Sequence, residues 1–195
     1  MTLIGVTGGI GMGKSASSRI LEAFGIPLVD TDILAHECSG PGTDGLAEIV
    51  REFGPEMRSA TGELDRARLA SLVFSDTGAL RRLESILHPR IAVRWRAQVA
   101  AWRTSGVRRA AVVIPLLFEK DYTAEFTRVV CLACTAATQR LRLRERGWSD
   151  VEIQARNAAQ MPVADKLARA HFGIWTEGSL ATHRRQWERI LAALP

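Results

Sequence analysis

The fold is decided by residues 8–15, which read Gly8-Gly9-Ile10-Gly11-Met12-Gly13-Lys14-Ser15. The stretch matches the pattern G-x4-G-K-[ST], and it lies between an apolar run of strand length at residues 3–7 and a helical pattern that begins near Lys14. Glycine suits such a loop because backbone N–H groups must converge closely on phosphate oxygens. The stretch therefore predicts a phosphate-binding loop, followed by a helix whose N-terminus adds positive partial charge.

Two side chains of this loop have predicted roles. Lys14 is expected to reach the β- and γ-phosphates of a nucleotide, and the Ser15 hydroxyl is expected to ligate Mg²⁺. The other residues predicted to bind nucleotide in this segment are Gly9, Ile10, Gly11, Met12, Gly13 and Ala16. The alternative is a glycine-rich strand–helix turn that binds nothing, which the Lys-Ser pair and the flanking pattern disfavour.

Two acids follow the predicted second strand. Asp30 and Asp32 stand where open α/β sheets bind ligands, at the carboxyl end of a strand. Residues two apart face the same side of an extended chain, so one carboxylate could orient Mg²⁺ while the other takes a proton from an attacking hydroxyl, as a kinase requires. The alternative is capping of a helix that starts near Ile33. No acid ends the later strands and no Asn-Lys-x-Asp motif occurs, which disfavours a switch GTPase or motor ATPase.

An arginine-rich helical pattern occupies about residues 136–156, with an interruption at Gly147. Arg142 and Arg146 are four residues apart and therefore lie on one helix face. Guanidinium groups carried by a closing lid would stabilise the charge of a transferring phosphoryl group. The alternatives are a solvated basic face and a nucleic-acid face, and the lack of interleaved aromatic residues disfavours the second.

Strand-like and helix-like segments alternate along the chain, and the strands are apolar throughout, as in a parallel sheet covered on both faces. We predict an α/β protein: a three-layer P-loop fold with a central parallel sheet, an inserted helical acceptor-binding subdomain and a helical lid. The predicted core covers about residues 1–33, 108–138 and 170–195, the insertion about 34–107 and the lid about 139–168. Breaks in the long helical region are expected at Pro41-Gly42, Gly54-Pro55, Gly62 and His88-Pro89.

Composition excludes several classes of protein. The chain has 195 residues, 47% of them hydrophobic and 24% charged, which is typical of a globular domain. Its longest apolar run covers only residues 110–118, whereas about 20 residues are needed to cross a bilayer. The net charge of +5 is compatible with nucleic acid, with a phosphorylated small molecule, or with a compositional habit of the source.

The chain has three cysteines, Cys38, Cys131 and Cys134. The C-x-x-C spacing of the last two occurs in metal and redox sites, but no second cysteine or histidine pair has the spacing of a zinc site. Both fall in or beside an apolar run of strand character, so we predict buried structural thiols and no cysteine-based metal site. A reducing, cytoplasmic location is the corresponding expectation.

Several motifs together resemble the dephospho-CoA kinase family over nearly the whole chain. Their order and spacing are specific even though each stretch beyond the phosphate loop is weak by itself. The matching stretches are Gly9-Ile10 within the loop, Val29-Asp30-Thr31-Asp32, Gly62-Glu63-Leu64-Asp65-Arg66, Leu83-Glu84-Ser85-Ile86-Leu87-His88-Pro89, Pro115-Leu116-Leu117-Phe118-Glu119, and Gln139 with Arg142 and Arg146.

The resemblance implies ATP-dependent phosphorylation of the ribose 3′-hydroxyl of dephospho-CoA, giving CoA and ADP, on a nucleoside-monophosphate-kinase-like fold. ATP and Mg²⁺ would be required and dephospho-CoA would be the small-molecule partner, with no nucleic acid and no membrane involved. Asp32 would be the general base, Lys14 the phosphate cation and Arg142 the lid arginine, with Arg146 at the nucleotide.

The same resemblance implies a substrate-binding set that consists of Asp30, His88, Arg90, Leu117, Phe118 and Glu119. For His88 the alternative is a histidine at a helix start before a first-turn proline. For Leu117 and Phe118 the alternative is ordinary core packing.

Two departures from the family pattern fall at the nucleotide. Many members have a threonine where this chain has Ala16, so a hydroxyl to the α-phosphate is lost although a backbone N–H remains. Ala170-His171 and residues 176–179 stand where the family usually has an Ala-Asp pair and an Asn-x-Gly loop near the adenine. We therefore expect a looser nucleotide preference.

Two other functions fit parts of the sequence. One is a P-loop kinase of another small hydroxyl acceptor, such as a nucleoside or a sugar, which a panel of acceptors would distinguish. The other is a non-catalytic, nucleotide-gated module that binds nucleic acid or protein, which the pI near 9.7 suggests.

Overall fold

The fold is given by a computed structural model that describes residues 1–194, apart from the side chains of Phe74 and Ser75. Pro195, the last residue of the predicted core segment 170–195, lies outside the described residues. In chain order the elements are β1 (Thr2–Gly8), α1 (Lys14–Ala23), β2 (Leu28–Asp30), α2 (Thr31–Cys38), α3 (Asp44–Phe53), α4 (Arg66–Ser75), α5 (Thr77–Thr104), β3 (Arg109–Val113), β4 (Arg128–Ala133), α6 (Ala136–Arg144), α7 (Asp150–Ala158), α8 (Val163–Arg169), β5 (Phe172–Trp175) and α9 (Leu180–Ala193), with short 3-10 turns at Pro55–Met57 and Thr123–Glu125.

The five strands of the described chain form one parallel sheet in the order β2-β3-β1-β4-β5. β1 is central, and its Val6 pairs with Val113 of β3 on one side and with Val130 of β4 on the other. Every residue of β1 is buried, as expected for a strand that helices cover on both faces. The predicted α/β fold with a central parallel sheet is confirmed.

The chain divides into two compact units. The first contains Met1–Asp30 and the chain from Trp102 onward, and it holds the whole sheet. Its core joins sheet residues such as Ile4 and Ile174 to Leu21 of α1 and Trp187 of α9, all without exposed surface. Burial of each such side chain contributes about 1.5–3 kcal/mol, and this packing fixes α1 and the loop before it against the sheet.

The second unit, Thr31–Ala101, is helical and has its own apolar core around Leu46, Ile49 and Ile86. The predicted breaks at Pro41-Gly42, Gly54-Pro55 and Gly62 all fall between helices. None of the helices within residues 1–194 has both the length and the apolar character needed to cross a membrane.

The predicted break at His88-Pro89 is wrong, and so is the interpretation of His88 as a residue at a helix start. Helix α5 runs through this point for 28 residues with Pro89 inside it. Proline costs a helix interior about 3 kcal/mol because one N–H is lost and the ring clashes with the preceding turn. The buried face of α5 continues beyond the proline with Trp95 and Val99, and their burial offsets that cost.

The extended arrangement assumed for Asp30 and Asp32 is also wrong. Asp30 ends β2, but the helix α2 already begins at Thr31, so Asp32 lies in its first helical turn. An acidic side chain is favourable there because the N-terminus of a helix carries positive partial charge. The start of the helix therefore lies two residues earlier than the pattern around Ile33 indicates.

Candidate active site

The phosphate loop connects β1 to α1 at the carboxyl end of the central strand. Gly13, the residue before α1, has φ 85° and ψ 17°, a left-handed conformation that costs glycine little. This turn brings the loop directly into the first turn of α1, whose free N–H groups favour an anion. No acidic side chain occupies that first turn to compete with a phosphate.

The Lys14 ammonium lies back over the loop. Its Nζ donates hydrogen bonds of 2.9 Å to the carbonyl oxygens of Gly8 and of Gly9. Phosphate oxygens accept stronger, charge-assisted hydrogen bonds than neutral carbonyls do. The Lys14 charge thus lies at the backbone of the phosphate loop, and its contact with nucleotide phosphates stays a prediction.

Ser15 is exposed and lines a cavity beside the loop. Mg²⁺ binds oxygen and usually takes only one or two protein ligands, because waters and substrate phosphates complete its shell. Within residues 1–194 no cluster of three His, Cys, Asp or Glu side chains could hold a metal by itself. The exposed Ser15 hydroxyl is an oxygen ligand of the kind that fits Mg²⁺ carried by a nucleotide.

The cavity beside the loop measures about 350 Å³. Its charged walls come from Arg19 of α1, Arg142 of α6 and Arg146 just beyond α6, and none of its lining residues is acidic. His183 of α9 also lines it, and burial together with nearby Arg142 lowers the pKa of this imidazole and favours its neutral form. The structure thus brings Ser15, Ala16, Arg142 and Arg146 together around a positively charged cavity.

Arg142 is oriented by the loop that follows β5. Its Nη1 donates to Thr176 Oγ1 at 3.0 Å, and its Nη2 donates to the Thr176 carbonyl at 2.6 Å. A weaker contact of 3.5 Å joins Nη1 to the carbonyl of Gly11 in the phosphate loop. Thr176 is thus a site residue whose role the sequence did not reveal, because no local pattern links it to α6.

Glu177 joins the same loop to the start of α6. Its Oε1 accepts hydrogen bonds from the hydroxyl and, at 2.8 Å, from the backbone N–H of Thr135, the N-cap of α6. Its Oε2 accepts from Trp175 Nε1 at 3.0 Å. Hydrogen bonds from Thr135 and Thr138 lower the pKa of Glu177 to about 2. The segment 176–179 therefore positions α6, the helix that carries Arg142. This is a segment in which the chain departs from the family pattern.

The segment that follows β3 is held against α8 by side-chain contacts. Leu117 and Phe118 are buried, which agrees with a packing role. Glu119 forms an ion pair of 2.8 Å with Lys166 and accepts a hydrogen bond of 2.9 Å from the Met161 N–H. The second carboxylate oxygen, Oε2, is buried without a hydrogen-bond partner in the described chain. Lys166 is fully buried, and no sequence motif indicated a role for it.

Three further predicted residues, Asp32, His88 and Arg90, belong to the second unit, whereas Asp30, at the end of β2, belongs to the first. Asp32 is exposed at the start of α2. Arg90 donates to Glu48 Oε2 at 2.5 Å and to the Ile86 carbonyl at 2.6 Å, so its guanidinium already has partners within that unit. His88 Nδ1 lies 4.0 Å from a carboxylate oxygen of Glu84 on the preceding turn. Their roles toward a substrate stay predictions.

Comparisons with known proteins agree with this architecture. The dephospho-CoA kinase family model matches residues 2–182. Dephospho-CoA kinases of Bdellovibrio bacteriovorus and Anaeromyxobacter dehalogenans are 40% and 42% identical to the chain; the alignments cover 98% and 100% of it and 95% and 92% of those proteins. The crystal structure of TT1252 from Thermus thermophilus is 34% identical, with a TM-score of 0.82 over 100% of this chain and 98% of that one. The chain belongs to the dephospho-CoA kinase family.

Proposed function

We propose that this chain transfers the γ-phosphoryl group of ATP to the ribose 3′-hydroxyl of dephospho-CoA, giving CoA and ADP, the last step of CoA biosynthesis. One observation carries the donor half of the proposal: the phosphate loop opens beside a cavity with three arginines and no acidic side chain. The acceptor half is supported by membership of the family over residues 2–182.

In the proposed reaction the 3′-oxygen forms a bond to the γ-phosphorus while the bond from that phosphorus to the β–γ bridging oxygen breaks. Asp32 takes the hydroxyl proton, as a positioned carboxylate does in other kinases. Lys14 and Arg142 stabilise the charge that spreads over the transferring group and the leaving ADP. Ser15 would hold Mg²⁺ together with the phosphates, and the bound ion would supply further neutralisation of that charge.

The cavity beside the loop is proposed to hold the rest of the nucleotide. Lys14 acts at the β- and γ-phosphates, whereas the cavity walls come from the next residues of α1 and from the loop after β5. This lining supports a position of the α-phosphate and the nucleoside between Ala16, Arg146 and the segment 176–180.

Buried free thiols and the absence of a zinc-like cysteine pattern support a reducing, cytoplasmic location.

The test is a reconstitution with purified protein, Mg-ATP and dephospho-CoA. We expect CoA and ADP in equal amounts by chromatography and mass spectrometry, with CoA that carries the new phosphate at the 3′ position. A nucleoside and a sugar serve as alternative acceptors in the same assay. Folded protein that phosphorylates either of them faster than dephospho-CoA, or that makes no CoA, would contradict the proposal.

A further inference from the structure

The side-chain amide of Gln139, on α6, lies between the phosphate loop and α7. Its Nε2 donates to the Ile10 carbonyl at 2.8 Å and to Asn157 Oδ1 at 3.0 Å, and Asn157 Nδ2 donates back to Gln139 Oε1 at 3.2 Å. Gln139 is only 5% exposed, so little water competes for these bonds. The Ile10 carbonyl can only accept, which requires the nitrogen of Gln139 to face it.

This contact fixes one peptide group of the loop. The described chain has no cis peptide bond, and in a trans peptide the Ile10 C=O and the Gly11 N–H point in opposite directions. Gln139 holds the Ile10 carbonyl toward its own amide, so the Gly11 N–H of the same peptide group points away from that amide. Gly11 lines the cavity beside the loop that Arg19, Arg142 and Arg146 surround, called the arginine cavity below. Phosphate-binding loops bind phosphate through their backbone N–H groups.

Asn157 determines how firmly the Gln139 amide is held. The two amides form a closed pair with one hydrogen bond in each direction, which leaves the second N–H of Gln139 aimed at Ile10. Asn157 lies in the last turn of α7, within the predicted lid, and the residue as a whole is exposed. The packing of α7 against α6 thus supplies a second contact that orients the Gln139 amide toward the loop.

We propose that Gln139 is a positioning residue that aligns the Gly11 N–H with a nucleotide phosphate, and that Asn157 holds it in place, so that docking of α7 sets the affinity of the loop for phosphate. The inference rests on the proposed nucleotide site but not on the identity of the acceptor. The Gln139–Asn157 pair thereby has a function beyond fold stability, because it links the packing of α7 to the geometry of the phosphate loop.

The test measures the binding of ADP and of adenosine, without any acceptor. Gln139→Met keeps the length of the side chain but has no N–H to donate to the Ile10 carbonyl, and it adds no charge beside the phosphate site. We expect it to weaken ADP binding about 10- to 100-fold by calorimetry, to leave the affinity for adenosine within about twofold, and to lower kcat/KM for ATP by a similar factor. Asn157→Ala should weaken ADP binding about 3- to 10-fold, because it loosens the amide without removing the donor.

Gln154→Met is the matched control, since it makes the same change at an exposed position of α7. Should Gln139→Met fail to fold, Gln139→Leu, which also cannot donate, takes its place. Wild-type ADP affinity in a folded Gln139 variant would overturn the proposal, and so would equal losses of ADP and adenosine affinity. The binding arm decides the matter even if the chain proves to phosphorylate another acceptor.

Discussion

Lys166 of α8, which has no exposed surface, is paired with Glu119, the carboxylate that follows β3, at 2.8 Å. The same ammonium donates to the Pro115 carbonyl at 2.6 Å, and the same carboxylate accepts from the Met161 N–H at 2.9 Å. A buried charge persists only when it is paired and hydrogen-bonded. The pair therefore joins α8 and the residue Met161 before it to the segment that follows β3. This contact lies near the C-terminal end of the predicted lid.

Lys166→Met is expected to reduce the free energy of unfolding by about 3–5 kcal/mol, because it leaves the Glu119 carboxylate, one oxygen of which is buried, without its partner. Adding Glu119→Gln to this variant should recover part of the loss, since the unpaired charge is then removed. Urea unfolding followed by circular dichroism measures both effects. Lys120→Met, at a partly exposed position, is the control and should cost less than about 1 kcal/mol. Equal costs for the two lysines would contradict this role for the buried pair.

Asp32→Asn is expected to lower kcat about 10²- to 10⁴-fold while the affinity for ATP stays within about threefold, because the amide cannot accept the hydroxyl proton. Steady-state rates and ADP calorimetry separate the two effects. Asp44→Asn makes the same change in the first turn of α3 and should leave kcat unchanged. A variant at Asp32 that retains a tenth or more of wild-type kcat would exclude this carboxylate as the base.

The position of the phosphate loop could be predicted because its motif lies in eight consecutive residues, and β1 because an apolar run of strand length precedes that motif. The contacts that orient the side chains of the site could not be predicted. Arg142 with Thr176, and Glu177 with Thr135, join segments far apart in the sequence, and only folding brings them together. The continuation of α5 through Pro89 could not be predicted for a related reason, because the buried face that stabilises the helix beyond Pro89 depends on tertiary packing.

Glu177→Gln is expected to lower thermal stability in a pH-dependent manner. The pKa of Glu177 is held at about 2, below its ordinary value of 4.5, so its contribution to stability is present above pH 4.5 and is lost as the pH falls through 2. The difference in melting temperature between wild type and variant should thus be constant from pH 6 to 8 and shrink below about pH 4.5. Glu188→Gln, at an exposed ion pair with Arg184, is the control. A difference that does not change with pH would show that the ionised carboxylate is not what joins the loop to α6.

Ala16→Thr is expected to lower the KM for ATP about 3- to 10-fold, because it places a hydroxyl donor at the wall of the arginine cavity, where the α-phosphate is proposed to bind. Ala16→Val has the same branched shape without the hydroxyl and bears a similar cost in helix propensity, so the comparison isolates the hydrogen bond. The KM for dephospho-CoA and the inhibition constant of adenosine should be the same in both variants. A valine variant that matches the threonine variant would mean that packing, rather than a phosphate contact, changes nucleotide affinity at this position. A gain confined to threonine and to phosphate-bearing nucleotides would locate the α-phosphate beside Ala16, and with it the orientation of ATP in the cavity.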